Sequence, residues 1–181
     1  YMKKQQEPEE EYLLVDGYNI IFSWEELSDL AEWDMAGARG KLMDILSNYQ
    51  GYKKNTVILV FDAYKVEGNT GEVTRYHNIH VVYTKEAETA DQYIEKTVHE
   101  IGRKYRVTVA TSDALEQMII LGQGAQRMSA QGLKEEIQAA NIEIRGSYLN
   151  KHSRSKNYLF DYLPEDLAED MEEVRLGKKE L

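Results

Sequence analysis

Four short runs of apolar, mostly β-branched residues recur in this chain, and helical patterns lie among them and after them. Apolar runs of this length without polar alternation are typical of strands that are buried on both faces. Strands of this kind that alternate with helices favour a parallel sheet with helices packed on both sides. We therefore predict an α/β fold, a three-layer α/β/α sandwich with a mainly parallel central sheet. The predicted strands cover residues 12–15, 55–61, 79–84 and 106–111.

The segments between and after these runs carry apolar residues at spacings of three and four, the period of one helix face. Thr89, followed three residues later by Gln92, matches the capping box that begins many helices. These patterns predict helices over residues 35–49, 89–105, 114–121 and 130–140.

The length of 181 residues suits one main domain, since domains commonly hold about 100–200 residues. The acidic run that closes residues 1–11 predicts a leader or linker, and Tyr at position 1 is compatible with a piece of a longer polypeptide. We place the main domain at residues 12–146 and a C-terminal extension, partly helical or disordered, at residues 147–181.

Composition excludes several classes of protein. The chain has no cysteine, and no apolar run approaches the ~20 residues that span a bilayer. We therefore expect a cytoplasmic protein with no membrane partner. A formal net charge of −10 argues against a protein that holds nucleic acid unaided through a basic face. It leaves open an enzyme that gathers carboxylates around metal ions and receives its substrate from a partner.

Aspartates follow three of the predicted strands: Asp16, Asp62 and Asp113 come at or just after the strand ends. In open parallel sheets, ligands bind beyond the carboxyl ends of the strands. Two carboxylates about 4 Å apart repel by something like 4 kcal/mol at an effective dielectric of 20. Such a group needs a cation or a shared proton, and an all-oxygen set of ligands favours Mg²⁺ or Mn²⁺.

A fourth acid, Asp91, falls in the first turn of a predicted helix, and Glu88 lies three residues before it. First-turn carboxylates are also common for stability alone, because the helix dipole favours negative charge there. Asp113 after Ser112 is likewise compatible with a simple N-cap. The joint pattern of acids at one end of one sheet favours a metal site. Asn19 is expected to support it by hydrogen bonding a ligating carboxylate or a substrate phosphate.

Other site chemistries lack their motifs. No P-loop is present, and the glycines at 122 and 124 follow a helix rather than a strand, so the dinucleotide fingerprint is absent. A phospho-acceptor receiver domain also gathers acids at strand ends, but the lysine that it needs after a late strand has no clear counterpart here. It is the more distant alternative.

Five segments, in order along the chain, resemble the YacP-like family within the NYN branch of PIN-like nucleases. They read LLVDGYNI at 13–20, VFDA at 60–63, YTKEAETAD at 83–91, ATSD at 110–113 and GQGAQRMSA at 122–130.

The resemblance implies a PIN-like/NYN fold and an endoribonuclease that depends on Mg²⁺ or Mn²⁺. It implies RNA, in particular mRNA, as substrate and the ribosome as the partner that presents it. Fusion behind a translation-factor-like GTPase is also compatible with the family. The competing interpretation is a non-catalytic PIN-like adaptor that binds the ribosome or RNA.

The resemblance also assigns roles by position. It implies metal-binding and catalytic roles for Asp16, Asp91 and Asp113. Supporting roles fall to Asn19, Asp62, Glu88 and Ser112, while Arg127, expected in a loop, and Ser129 are expected to meet a substrate phosphate.

Overall fold

This computed structural model describes residues 10–63 and 71–160, except for the side chains of residues 115, 148 and 150–160. The described residues contain six strands and six helices. The strands are β1 (Glu11–Asp16), β2 (Thr56–Phe61), β3 (Val73–Tyr76), β4 (Ile79–Tyr83), β5 (Arg106–Ala110) and β6 (Gln126–Met128). The helices are α1 (Gly17–Ser23), α2 (Glu25–Ala31), α3 (Met35–Lys53), α4 (Ala90–Ile101), α5 (Ala114–Gly122) and α6 (Ala130–Phe160).

The strands form one sheet in the order β3-β4-β2-β1-β5-β6, with β1 near its centre. All neighbouring pairs run parallel except β3 and β4, which are antiparallel. Val15 of β1 is level with Leu59 of β2 and with Ala110 of β5. The carboxyl ends of these three strands therefore meet at one edge of the sheet.

Helices cover both faces of the sheet, as the alternation of strands and helices predicts. On one face, α1, α2, α3 and the beginning of α6 bury side chains such as Leu46 and Leu133. On the other face, α4 and α5 bury Ile94 and Ile120 against β1, β2 and β5. The predicted three-layer α/β/α sandwich with a mainly parallel sheet is confirmed.

Helix α1 begins at Gly17, directly after the last residue of β1. A Cβ atom at this position would overlap the ring of Phe61, which is fully buried at the end of β2. Glycine thus allows α1 to start in close contact with the neighbouring strand. This tight connection positions Asp16 at the edge where the parallel strands end.

Several elements differ from the sequence prediction. The patterns did not predict α1 and α2, which have seven residues each, or β6, which has three. They also missed β3, whose residues are exposed or half-buried and carry no apolar alternation. Short elements such as these offer too few residues to establish a period. The predicted helix over 130–140 instead continues to Phe160.

Two compact units divide the chain, Tyr1–Ala140 and Asn141–Leu181. Residues 141–160 of the second unit are helical, since α6 extends through them. The rest of the predicted C-terminal extension, residues 161–181, and nearly all of the predicted leader at 1–11 lie outside the described residues. Within the described part, no helix has the length and apolarity that crossing a bilayer would require.

Candidate metal centre

Three carboxylates converge where the parallel strands end. Asp16 closes β1, Asp91 lies in the first turn of α4, and Glu116 lies in the first turn of α5. One oxygen from each lies within 4.8 Å of the others. The sheet topology explains the convergence, because α4 and α5 both begin at the edge where β1 ends. Three oxygens so close to one another could hold a metal ion.

The three carboxylates differ in their access to solvent. Asp16 is 6% exposed and Glu116 is 5% exposed, whereas Asp91 is open to solvent. A small cavity of about 40 Å³ lies beside Asp91 and Glu116 and is also lined by Glu95, Ile119 and Ile120. The group of three therefore consists of two buried carboxylates and one that solvent reaches.

The buried carboxyl groups of Asp16 and Glu116 stay protonated to a higher pH than carboxyl groups ordinarily do. Burial, together with the negative charge of Asp91, raises the pKa of Asp16 to about 7. Burial and the charges of Asp16 and Asp91 raise the pKa of Glu116 to about 9. Both shifts have the causes expected when carboxylates are crowded in a poorly solvated place. At neutral pH the three carboxyl groups therefore carry less than their full negative charge.

The hydrogen bonding of Glu116 is incomplete: Thr111 lies close enough to lower its pKa, but not in good hydrogen-bond geometry. Within ordinary limits of distance and angle, neither of its carboxylate oxygens accepts a hydrogen bond from the described residues, although both are buried. Buried polar atoms are nearly always satisfied, so an exception calls for an explanation. A proton shared with a neighbouring carboxylate, or a bound cation, would satisfy these two oxygens. The residues fit a hard divalent cation, since all three donors are carboxylate oxygens.

Asp113 is not part of this group, so the predicted trio differs from the one in the structure. Its Oδ1 accepts a hydrogen bond of 3.3 Å from the backbone N–H of Glu116, the interaction of a residue that caps the start of α5. Glu116, one helical turn later, supplies the third carboxylate. The sequence prediction includes the acids at the strand ends and at the start of the helix that carries Asp91, but not Glu116 in the first turn of α5. The spacing of three residues between Asp113 and Glu116 at the start of a predicted helix is the sequence signal that could identify Glu116.

Asp62 and Asn19 support the site through the backbone. Oδ1 of Asp62 accepts a hydrogen bond of 2.6 Å from the N–H of Ala90, the first residue of the helix that carries Asp91. Oδ1 of Asn19 accepts a hydrogen bond of 2.6 Å from the N–H of Ser112. The side-chain amide of Asn19 therefore connects α1 to the segment that leads into α5, while the backbone N–H of Asn19 donates to the carboxylate of Asp16 and lowers its pKa.

Ser112 and Ser129 stabilise the beginning of α6. Oγ of Ser112 accepts a hydrogen bond of 3.2 Å from the N–H of Ala130, and Oγ of Ser129 accepts one of 3.0 Å from the N–H of Gly132. Glu88 is half-buried beside α4, and its carboxylate lies outside the group of three. Its backbone oxygen accepts a hydrogen bond of 2.8 Å from Oγ1 of Thr84.

Arg127 lies in a strand, β6, so its predicted position in a loop is wrong. With Lys53, Arg106 and the amino ends of β1 and β5, it lines a cavity of about 260 Å³. Because β1 and β5 are parallel, their amino ends lie at the edge of the sheet opposite to Asp16. The contact of Arg127 with a substrate phosphate stays a prediction, and it would be made through this second cavity.

Comparisons with known proteins agree with this architecture. The sequence matches the YacP-like NYN domain family over residues 13–176. It is 44% identical to the uncharacterized protein YacP of Bacillus subtilis (strain 168) over 133 residues, which are 73% of this chain and 78% of that protein.

Solved structures of Rae1 (YacP) from Bacillus subtilis are similar as well. One has a TM-score of 0.69 at 38% identity, covering 92% of this chain and 95% of that one. A single-substitution variant of the same protein has a TM-score of 0.67 at 35% identity, covering 91% and 99%. The chain therefore belongs to the family of YacP-like NYN domains.

Proposed function

We propose that this protein is an endoribonuclease that depends on Mg²⁺ or Mn²⁺ and hydrolyses phosphodiester bonds in RNA. The observation that carries the proposal is the group formed by Asp16, Asp91 and Glu116, in which the buried oxygens of Glu116 accept no hydrogen bond of good geometry from the described residues. Membership of the NYN domain family supports the nuclease class.

The chain's own residues hold and orient the site. Asp16 and Glu116 would contribute buried oxygen ligands, and the solvent-exposed Asp91 would complete the set. A divalent cation supplies such a site with a water of lowered pKa and with positive charge that offsets the charge of the phosphodiester transition state. Asp62 and Asn19 keep α4 and the segment before α5 in place. No side chain is then needed as the nucleophile.

Presentation of the RNA by a partner is part of the proposal. The net charge of −10 provides little general attraction for a polyanion, because phosphate neutralisation by basic residues supplies most non-specific affinity. A ribosome that holds mRNA in position would remove the need for an extended basic surface. We therefore propose mRNA on the ribosome as the substrate, which places the reaction in the cytoplasm.

Cleavage of mRNA tests the proposal. Purified protein is incubated with a pool of mRNAs and Mg²⁺ or Mn²⁺, with and without translating ribosomes, and new 5′ ends are mapped. We expect cleavage by the unaltered protein and its loss in Asp91→Asn. The matched control is Glu100→Gln, which removes an exposed acid at the opposite end of the same helix and should cleave normally. Binding to ribosomes or RNA without cleavage under any of these conditions would instead support the adaptor interpretation.

A further inference from the structure

Arg39 of α3 is a half-buried cation that forms no ion pair with an acid among the residues that the structure describes. Its Nη1 donates a hydrogen bond of 3.3 Å to the hydroxyl oxygen of Tyr18. The ion pair found within the described residues joins Arg106 to Glu11, so Arg39 is not paired with a carboxylate there. A guanidinium remains charged at all ordinary pH values, and desolvating it without a counter-ion is unfavourable. An external anion would satisfy this group.

Tyr18 places this arginine beside the acidic edge. It follows Asp16 by two residues in the first turn of α1, and its ring packs against Phe61 with centroids 5.1 Å apart. Burial raises the pKa of the Tyr18 hydroxyl, the charge of Arg39 lowers it, and the charge of Asp62 raises it. The hydroxyl is therefore close to both Arg39 and Asp62, and the charge of Asp62 also acts on Asp16.

A second tyrosine lies near the same guanidinium. Tyr83, the last residue of β4, stacks on Phe61 with ring centroids 5.8 Å apart. Burial raises the pKa of Tyr83, while the charge of Arg39 lowers it. Arg39 is thus close to the carboxyl ends of β1, β2 and β4, the same edge that carries the three carboxylates. Among the described acids, Asp62 acts on the Tyr18 hydroxyl and Glu72 on the Tyr83 hydroxyl, but neither forms an ion pair with Arg39.

RNA at the acidic group would need a cation of this kind. The carboxylates repel the phosphates on either side of the bond to be cleaved, and this repulsion is strong over a few ångströms. Arginine suits a phosphate because its planar fork offers several N–H donors in a fixed geometry. The hydrogen bond to Tyr18 occupies one of its five N–H donors, and no other described residue accepts from the remaining four, which could donate to a ligand.

We propose that Arg39 binds a backbone phosphate of the RNA next to the phosphodiester that is cleaved, and that Tyr18 positions Arg39 for this contact. The inference rests on the proposed function and adds to it the residue that determines where the RNA backbone lies. Arg39 is the substrate-binding group, whereas Tyr18 acts through Arg39 as a positioning residue.

Salt-dependent RNA binding tests the role of Arg39. Binding of a short single-stranded RNA of mixed sequence is measured over a range of KCl concentrations with Mg²⁺, in an Asp91→Asn background that should not cleave. Each phosphate contact to single-stranded nucleic acid contributes about 0.7 to the slope of log K against log salt. Arg39→Ala should therefore flatten the slope by about 0.7 and weaken binding roughly ten- to hundredfold at low salt. Arg39→Lys should retain most of the slope.

Arg103→Ala is the matched control, because it removes an equal charge from an exposed turn between α4 and β5, at the opposite edge of the sheet. It should leave the slope unchanged. The proposal would be overturned if Arg39→Ala did not alter the slope, or if Arg103→Ala altered it equally. Undetectable RNA binding even at low salt would also overturn it. Cleavage by the unaltered protein is measured in parallel. Normal cleavage with an unaltered slope would refute only the role of Arg39, whereas absent cleavage would refute the nuclease function itself.

The role of Tyr18 is tested by a double-mutant cycle. Tyr18→Phe retains the ring that packs on Phe61 and removes the hydroxyl that accepts from Arg39. It should weaken RNA binding severalfold when Arg39 is present and have no further effect in the Arg39→Ala variant. Equal effects in both backgrounds would show that the hydroxyl does not act through Arg39.

Discussion

Asp62 and Ala90 are joined by a hydrogen bond of 2.6 Å between a carboxylate oxygen and the first backbone amide of α4. The bond fixes the beginning of the helix that carries Asp91 in its first turn. An acid at the end of β2 thus contributes to the site by positioning another acid. Carboxylates at one edge of a sheet need not all be metal ligands. The hydrogen bond from Ala90 indicates that Asp62 acts by holding the start of α4.

The bond predicts a difference between two substitutions of Asp62. Asp62→Asn keeps an oxygen that can accept from Ala90, whereas Asp62→Ala leaves that amide without its partner. We expect Asp62→Ala to lower the free energy of unfolding by about 1.5–3 kcal/mol, the range for hydrogen bonds to charged groups, and to weaken Mn²⁺ binding more than Asp62→Asn does. Denaturant unfolding and calorimetric Mn²⁺ titration measure the two effects. Equal Mn²⁺ affinities for both variants would contradict this role.

Asn19 should matter for metal binding although it is not a ligand. Asn19→Ala removes the acceptor for the N–H of Ser112 and so releases the segment that leads into α5 and Glu116. We expect a loss of about 1 kcal/mol in stability and a decrease in Mn²⁺ affinity of roughly 10–100-fold, as is typical for residues that orient metal ligands. Asn48→Ala, at an exposed position of α3, is the control and should change neither quantity. An Asn19→Ala protein with normal Mn²⁺ affinity would refute the connection.

The raised pKa values of Asp16 and Glu116 predict how stability depends on pH without metal. Carboxyl groups titrate near ~4 in an unfolded chain, but at about 7 for Asp16 and about 9 for Glu116 in the folded protein. Between these values the folded state binds more protons than the unfolded state. The stabilisation is therefore complete below about pH 4 and is lost as the pH rises through 7 and then 9.

Glu116→Gln should reduce this dependence, because glutamine fills a similar volume and does not titrate. In the presence of a chelator, we expect the unfolding free energy of the unaltered protein to decrease with pH by up to about 1.4 kcal/mol per pH unit for each group. The variant should decrease less steeply and be the more stable of the two at pH 8–9. Denaturant unfolding over this pH range measures both slopes, and identical slopes would show that Glu116 does not carry the raised pKa.

Gly17→Ala tests the tight connection between β1 and α1. The added Cβ would overlap the buried ring of Phe61, so either the ring or the helix must move. Overpacking of a filled core commonly costs about 1–3 kcal/mol, and the displacement should also disturb Asp16. Gly40→Ala, on α3 in open space, is the control and should not destabilise the protein. A Gly17→Ala protein of unaltered stability would contradict the packing described here.

The sequence predicts where the site lies in the fold better than it predicts which three carboxylates form it. Asp16 lies at the end of an apolar strand and Asp91 lies within the capping box of Thr89 and Gln92, so both positions follow from local patterns. Asp113 and Glu116 are separated by one turn of α5, and local patterns do not show which of them points to the sheet edge. That choice depends on how α5 packs against α4. Arg127 was misplaced for a related reason, since a strand of three residues is recognised only from its partner β5.

Calorimetric titration with Mn²⁺ tests the central claim most directly, because it separates the group in the structure from the trio expected from the sequence. The unaltered protein should show saturable binding, and Glu116→Gln should weaken it by more than tenfold. Asp113→Asn retains an oxygen to cap α5 and should bind Mn²⁺ almost normally. No saturable binding by the unaltered protein, or loss of binding in Asp113→Asn with normal binding in Glu116→Gln, would contradict the proposed metal centre.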